Sequence, residues 1–399
     1  MDRPLLRWIA DRIAERGPVP FATFMEWALY HPEHGYYSSG RVRVGHDRGD
    51  FTTAPHLTGL FARCLARFVR GVDRALGEPD PFVLAEGGPG EGRLARDLLD
   101  CLRETAPRLY RRLRYAPDEA SPALRERQVL LWAPHRDRLA PWPPPAPVEG
   151  IYLSNELLDA FPVHRLVRRS EALFEIHVAL DEEGEQAGAD PGQTPRLREV
   201  LLPPSHPELA ARWARWESQG VALPEGCEAE VNLQSKSWLA GVSAALARGV
   251  VLTIDYGNEA PRLYGPRRLR GTAVAYRAHR AVENLLEDPG AQDLTAHVDF
   301  TSLRRDGEEL GLETAPLLRL RDFLFASGLL EELEALERDG LDDAAAWEAR
   351  RAAAPLLFPG PGQGMGESFH VLVQARGVEL SALSLDPAGP RFGVPPAGT

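Results

Sequence analysis

Residues 82–94 read FVLAEGGPGEGRL, and this stretch decides the fold. A short apolar run ends at Glu86, and Gly88, Pro89, Gly90 and Gly92 then turn the chain toward a predicted helix. Glycines at such a turn remove the side chains that would keep a ligand off the backbone. The amides of the following helix start face whatever lies there. A strand, turn and helix in this order set a nucleotide-like cofactor across the carboxyl edge of a parallel sheet.

Outward from this turn, short apolar strands are predicted at 82–86, 113–118, 128–133, 150–154 and 250–255, with helices at 92–104, 121–126 and 236–248. Strands joined through helices imply an α/β fold with a mostly parallel sheet covered on both faces. Partial alternation in VHRLVRR and ALFEIHVAL predicts a strand pair within 162–180, and SFHVLVQAR a late strand. Helical periodicity at 5–16, at 21–30 (capped by Thr23) and at 57–76 makes residues 1–76 a helical lead-in. Residues 321–353 read as helix with a solvated Glu/Arg face, and 181–196 as an acidic surface loop.

Composition narrows the function classes. The 399 residues carry a formal charge of -12, which disfavours broad nucleic-acid binding because that binding neutralises phosphates. No apolar run approaches the roughly 20 residues that span a bilayer. The amino terminus, MDRPLLRWIADRIAERG, lacks the apolar core of a secretory signal and is acidic for a transit peptide, so cytoplasmic residence is the default expectation. Cys64, Cys101 and Cys227 stand apart from histidines at ligand spacing, which argues for free thiols and no structural metal.

Glu119, just past the strand RLRYAP, can accept hydrogen bonds from the hydroxyls of an adenosine ribose, or cap the helix starting near Ser121. Two dinucleotide features are missing. Glu86 before the turn attracts a cation and opposes a pyrophosphate, and G-P-G-E-G lacks the x-x-Gly ending of the NAD fingerprint. Both favour S-adenosyl-L-methionine over NAD. With Lys236 the sole lysine, no Tyr-x-x-x-Lys pair is available to an NAD-dependent oxidoreductase. After the run GIYL comes SNELLDAFP, which puts Asn155, Glu156 and Asp159 at the ligand-binding edge. Carboxylates there suit a guanidinium, which they pair bidentately and orient; a helix cap at Ser154 or Asn155 is the alternative. Asp255 and Tyr256 in IDYG are predicted to reach the cleft, where Asp255 attracts a cationic substrate. In DLTAHVDF, His297 is a candidate proton acceptor or a scaffold residue, and Asp293 and Asp299 extend an acidic mouth.

Taken together, FATFMEWALYHPEHGYYSS (21–39), GDFTTAPHL (49–57), EGGPGEG (86–92), EASPALRERQ (119–128), SNELLDAFPV (154–163), EVNL (230–233), IDYG (254–257), GTAVAYRAHR (271–280) and PGAQDLTAHVDFTSL (289–303) resemble the MidA-like family of S-adenosylmethionine-dependent methyltransferases. That family includes the mitochondrial complex I assembly factor that methylates an arginine. The resemblance implies a class I methyltransferase (Rossmann-like) sheet of seven strands with an amino-terminal helical extension. Residues 77–399 would form the methyltransferase domain, with insertions around 162–235 and 257–350. It implies donor contacts from Glu86, Gly88, Gly90, Gly92, Glu119 and Asn155, and from a lid carrying Asp50, Thr52 and Thr53. The family's Asn-Glu motif falls on Asn155 and Glu156, with Asp159 also matching; with Asp255 and His297, read from the residues themselves, these are the catalytic candidates, and the resemblance implies a protein arginine as acceptor. A respiratory-complex subunit is the implied partner, with monomer and homodimer both open. Gly87 stands where the family has an aliphatic residue, predicting a looser strand end, and Glu91 where it has a small or basic one. The rival reading is a non-catalytic assembly or binding protein that keeps the cofactor fold.

Overall fold

The computed structural model describes residues 3–39, 59–181, 194–277, 280–338 and 365–383, with 354, 356 and 385. Its central sheet is built on five strands: β1 (Phe82–Gly87), β2 (Leu113–Asp118), β3 (Val148–Asn155), β4 (Leu246–Asn258) and β5 (Phe369–Arg376). They lie in the order β2-β1-β3-β4-β5, parallel except for β5, which runs antiparallel to β4. Val298–Asp299 on β4, and Glu313–Thr314 and Leu318–Arg319 on β5, bring the sheet to eight strands.

Every residue of β1 is buried, as a strand covered on both faces requires. On one face the helices Gly59–Ala75, Arg93–Thr105 and Leu320–Ala326 pack Phe61, Leu65, Phe68, Leu98, Leu99 and Phe323 onto the sheet. Each such side chain contributes about 1.5–3 kcal/mol when fully buried. The other face is covered by Gln234–Ala245 and Phe300–Glu309 through Leu239, Val242, Phe300 and Leu303. Because β1 is flanked by β2 on one side and β3 on the other, a crevice opens at their carboxyl ends, where strand order reverses.

Four antiparallel strands, His164–Arg169, Ala172–Leu180, Leu197–Leu202 and Glu228–Val231, are inserted between β3 and β4, and Val19–Pro20 from the amino-terminal segment adds a fifth to their sheet. The strand pair expected within 162–180 is its centre. The amino-terminal helices Pro4–Arg16 and Phe21–Tyr30 dock here, packing Ile9, Ile13, Phe24 and Met25 with Val163, Val178 and Leu294. The segment 1–76 therefore divides: its first two helices join the inserted sheet, and Gly59–Ala75 joins the central one.

Three sequence expectations are corrected. The strand at 128–133 is absent, because Ser121 caps and Pro122 opens a helix running Pro122–Leu131. The apolar run VLLW misled because Val129 and Leu130 lie on the exposed side while Trp132 turns inward. Thr23 caps nothing, since the cap position of its helix is Pro20. The helix at 236–248 stops at Ala245, where β4 takes over. The 181–196 loop falls largely, and the second half of 321–353 wholly, outside the described residues; the first half forms Leu320–Ala326 and Leu329–Arg338.

Candidate active site

The crevice floor is the glycine turn. Gly88, Gly90 and Gly92 have φ of 60°, 55° and 78°, a region that side chains other than glycine enter at a cost. A Cβ at Gly88 would lie 2.9 Å from Leu157 Cδ1, and one at Gly92 would lie 2.7 Å from the Trp132 ring. At Gly90 a Cβ would meet nothing closer than 4.0 Å, so that glycine faces open space. Trp132 Nε1 donates to the Gly92 carbonyl at 2.9 Å and pins the start of the following helix.

Glu119 lies against this turn. Its Oε2 accepts from the Gly90 N–H at 3.2 Å and from Gln128 Nε2 at 3.3 Å, and its Oε1 accepts from the Ser121 N–H at 2.9 Å. Gln128 also donates to the Gly90 carbonyl at 2.6 Å, clamping the turn to the acid. Burial raises the Glu119 pKa, and these donors oppose that rise. The same carboxylate that is expected to meet the ribose also holds the helix start at Ser121. Three protein donors leave it about one further acceptor position, enough for one ribose hydroxyl. The glycine turn, its open Gly90 and the neighbouring carboxylate fit an adenosyl group, whose sulfonium would supply an electrophilic methyl.

Glu86 behaves differently from the sequence expectation. It is buried, receives the Tyr115 hydroxyl at 2.7 Å, and burial lifts its pKa to about 7. A carboxyl only partly ionised at neutral pH is a weaker attractor of a sulfonium than a full charge. Gly87 does not loosen the strand end. A Cβ there would strike Tyr152 Oη at 2.4 Å, so the glycine makes room for the phenol that donates to Asp118 at 2.8 Å. Glu91 pairs with Arg93 at 3.2 Å.

Across the crevice, β3 ends in Asn155, and Glu156 takes φ of 54°. Positive φ in a non-glycine residue is strained and marks functional loops more often than ordinary ones. Asn155 Nδ2 donates to Glu156 Oε1 at 3.1 Å, which leaves Asn155 Oδ1 buried with no hydrogen-bond partner. Asp159 is 5% exposed; its Oδ2 accepts from Thr295 Oγ1 at 3.0 Å, and its Oδ1 has no partner. Tyr256 Oη lies 2.8 Å from Thr295 Oγ1, and since the threonine donates onward, the phenol donates to it. Burial raises the Asp159 pKa, and the nearby hydroxyls of Tyr256 and Thr295 oppose that rise.

The remaining walls come from distant segments. Tyr30 donates to the Ala160 carbonyl at 2.9 Å and Tyr37 to Asp293 Oδ1 at 2.8 Å, their rings stacked 5.7 Å apart. Burial, then the charges of Asp159 and Asp293, push both phenols up in pKa, so they stay protonated. The Tyr37 carbonyl accepts from Ser121 Oγ at 3.4 Å, linking this wall to the helix beside Glu119. Sequence reasoning missed Tyr30, Tyr37, Gln128 and Trp132 as site residues. Their only signal was membership of quoted motifs or, for Gln128 and Trp132, a run read as strand.

Two predicted catalytic residues are reassigned by their surroundings. Asp255 does not face the cleft: it is 1% exposed and accepts backbone N–H groups from Leu157, Leu158, Asp159 and Tyr256. His297 is a poor proton acceptor, because burial, then Arg268 and His370, lower its pKa to about 4. Asp299 is structural, capping Phe300–Glu309 and receiving Trp216 Nε1 at 3.0 Å. Asp293, 5% exposed, lines the tyrosine wall. Asp50, Thr52 and Thr53 lie outside the described residues.

A parallel sheet of this strand order, with an antiparallel last strand and a glycine turn beside an acid, defines a class I S-adenosylmethionine-dependent methyltransferase. The chain belongs to the family described as "Putative S-adenosyl-L-methionine-dependent methyltransferase", whose model matches residues 64–317. It is similar to a Burkholderia thailandensis protein crystallised with S-adenosyl-homocysteine, at 32% identity, TM-score 0.81, and coverage of 94% of this chain and 92% of that one. A native structure from the same organism matches at 30% identity and TM-score 0.79, covering 97% of this chain and 95% of that chain. The rat "Protein arginine methyltransferase NDUFAF7, mitochondrial" is 27% identical over 92% of this chain and 83% of its own length. The enzyme class and its cofactor, S-adenosyl-L-methionine, are thereby established. The cytoplasmic expectation is withdrawn, because the curated relatives, including the rat and human proteins, carry a mitochondrial designation in their names.

Proposed function

We propose that the enzyme transfers a methyl group from S-adenosyl-L-methionine to an arginine nitrogen of a protein. The observation that carries this reading is the Asp159 carboxylate. It is 5% exposed with Oδ1 unpartnered, and among the described residues no basic side chain pairs with it. A buried carboxylate of this kind is costly without a cation, and a planar guanidinium satisfies it while presenting several N–H donors. Asn155 Oδ1, also unpartnered, offers a second acceptor on the same loop. Tyr30 and Tyr37 supply aromatic surface of the sort that attracts a guanidinium face.

The residues divide the work. Glu119 and the glycine turn hold the donor; Asp159, with Glu156 beside it, orients the guanidinium; and Tyr256 through Thr295 fixes the Asp159 rotamer. Alignment and exclusion of water then carry the rate, since direct transfer needs no covalent enzyme intermediate. Burial raises the pKa of Asp159, which makes its carboxylate a better acceptor for the proton that leaves the methylated nitrogen. The NDUFAF7 relatives are named as protein arginine methyltransferases, which supports the same acceptor here.

The test is incubation with tritiated donor and a lysate, followed by peptide mass spectrometry to locate the label. Label on arginine that disappears in Asp159→Asn supports the reading. Label on lysine or on small molecules, or none with donor saturating, refutes it and favours a binding protein that retains the cofactor fold.

A further inference from the structure

We propose that Asp255 is a positioning residue of the donor site, its carboxylate filling the backbone nest formed by residues 156–159 and thereby seating that loop on the glycine turn. Successive N–H groups converge when neighbouring residues take left- and right-handed helical conformations, and the concavity they form binds an anion. Glu156 at φ 54° followed by Leu157 at φ -116°, ψ -47° has that geometry. The group in the concavity is the Asp255 carboxyl; burial, then Asp159 and Glu156, raise its pKa, and the N–H groups of Leu158 and Asp159 oppose that rise. Asp255 Oδ2 accepts from the N–H groups of Leu157, Leu158 and Asp159 at 3.2, 2.9 and 3.3 Å, and Oδ1 accepts from its own neighbour Tyr256 at 2.9 Å.

With those donors in place and 1% exposure, Asp255 has no means of touching substrate. Its influence runs through the loop. The Glu156 N–H is fixed at 2.9 Å to the Ile254 carbonyl, so the strained residue is clamped between two points on β4. Leu157 then lies with its two methyls 2.9 Å from where a Cβ on Gly87 or Gly88 would stand. A carboxylate at the end of β4 thus decides how the acceptor loop rests on the donor turn. This assignment is independent of which acceptor is methylated.

The experiment is calorimetric titration of S-adenosyl-homocysteine into the wild type, Asp255→Asn, Glu156→Gly and the double variant, each checked for a cooperative melt. Loss of the carboxyl from the nest should weaken binding about tenfold, as sub-ångström misplacement of a binding group does. Glycine adopts φ 54° unaided, so in the Glu156→Gly background the same change should cost under about threefold. Wild-type affinity in Asp255→Asn, or an equal loss in both backgrounds, overturns the proposal. Should Asp255→Asn fail to fold alone, Leu157→Ala supplies the answer: weakened binding in a folded protein supports transmission through Leu157, and unchanged binding refutes it.

Discussion

Replacing Glu119 by alanine isolates the grip on the donor. In the structure its carboxylate already takes N–H groups from Gly90 and Ser121 and the Gln128 amide, which leaves about one acceptor position for a ribose hydroxyl. One hydrogen bond to a charged acceptor is worth about 1.5–3 kcal/mol. At 1.4 kcal/mol per tenfold in affinity, Glu119→Ala should weaken S-adenosyl-homocysteine roughly 10- to 150-fold. Titration calorimetry reads this directly, with NAD as the comparison ligand. Glu119→Gln should fall between, because an amide accepts the hydroxyl but points N–H groups at the Gly90 and Gln128 donors. An affinity within twofold of wild type, or NAD bound as tightly as S-adenosyl-homocysteine, would show that the acid does not hold the sugar.

Asp159→Asn should reduce protein methylation about 100- to 1000-fold, as truncating one partner of a buried charge pair does, while donor affinity stays within about twofold; filter-binding and calorimetry check both. Glu86 has a folded pKa of about 7, above its unfolded 4.5, so its contribution to stability is full below pH 4.5 and is lost as pH rises toward 7. Glu86→Gln should therefore flatten the fall in melting temperature across that window. His297 has the opposite sign: its folded pKa of about 4 makes stability rise between pH 4 and 6.5, and His297→Asn should remove that rise without altering the pH–rate profile from 6 to 8. Gly92→Ala, meeting Trp132 at 2.7 Å with φ 78°, should cost about 1–3 kcal/mol in denaturant unfolding and weaken the donor.

The arrangement proposed to hold the donor was legible because it is local. A strand, three glycines and an acid one strand over announce themselves by spacing, and Glu119 stands where that spacing put it. The acceptor half was legible in residue types but not in roles. Asp255 and Asp159 look alike as acids at strand ends, yet one is consumed by backbone N–H groups and the other keeps an open oxygen. No linear pattern distinguishes them, because the loop geometry that makes the difference depends on Glu156 adopting positive φ. Of the two readings open for His297, the scaffold one fits its surroundings: burial, then Arg268 and His370, lower its pKa, and no nearby sequence announces them. The strand expected at 128–133 failed because an apolar run fits a helix as well as a strand. There the deciding signals were the Ser121 cap and Pro122 at the helix start, and the helix then brings Gln128 to the Gly90 carbonyl.

The link from Tyr30 to Ala160 and from Tyr37 to Asp293 has a consequence for how the enzyme comes into being. The glycine turn, Glu119 and Gln128, which we propose to hold the nucleoside, lie within residues 88–128, whereas the proposed recess for the acceptor is stitched from the beginning, middle and later parts of the polypeptide. During synthesis the nucleoside-binding half can assemble first, and the methyl-accepting half must wait for the ribosome to deliver Asp293. The same division leaves evolution free to retailor what is methylated by altering the stitching, while the machinery for holding the methyl source stays as it is.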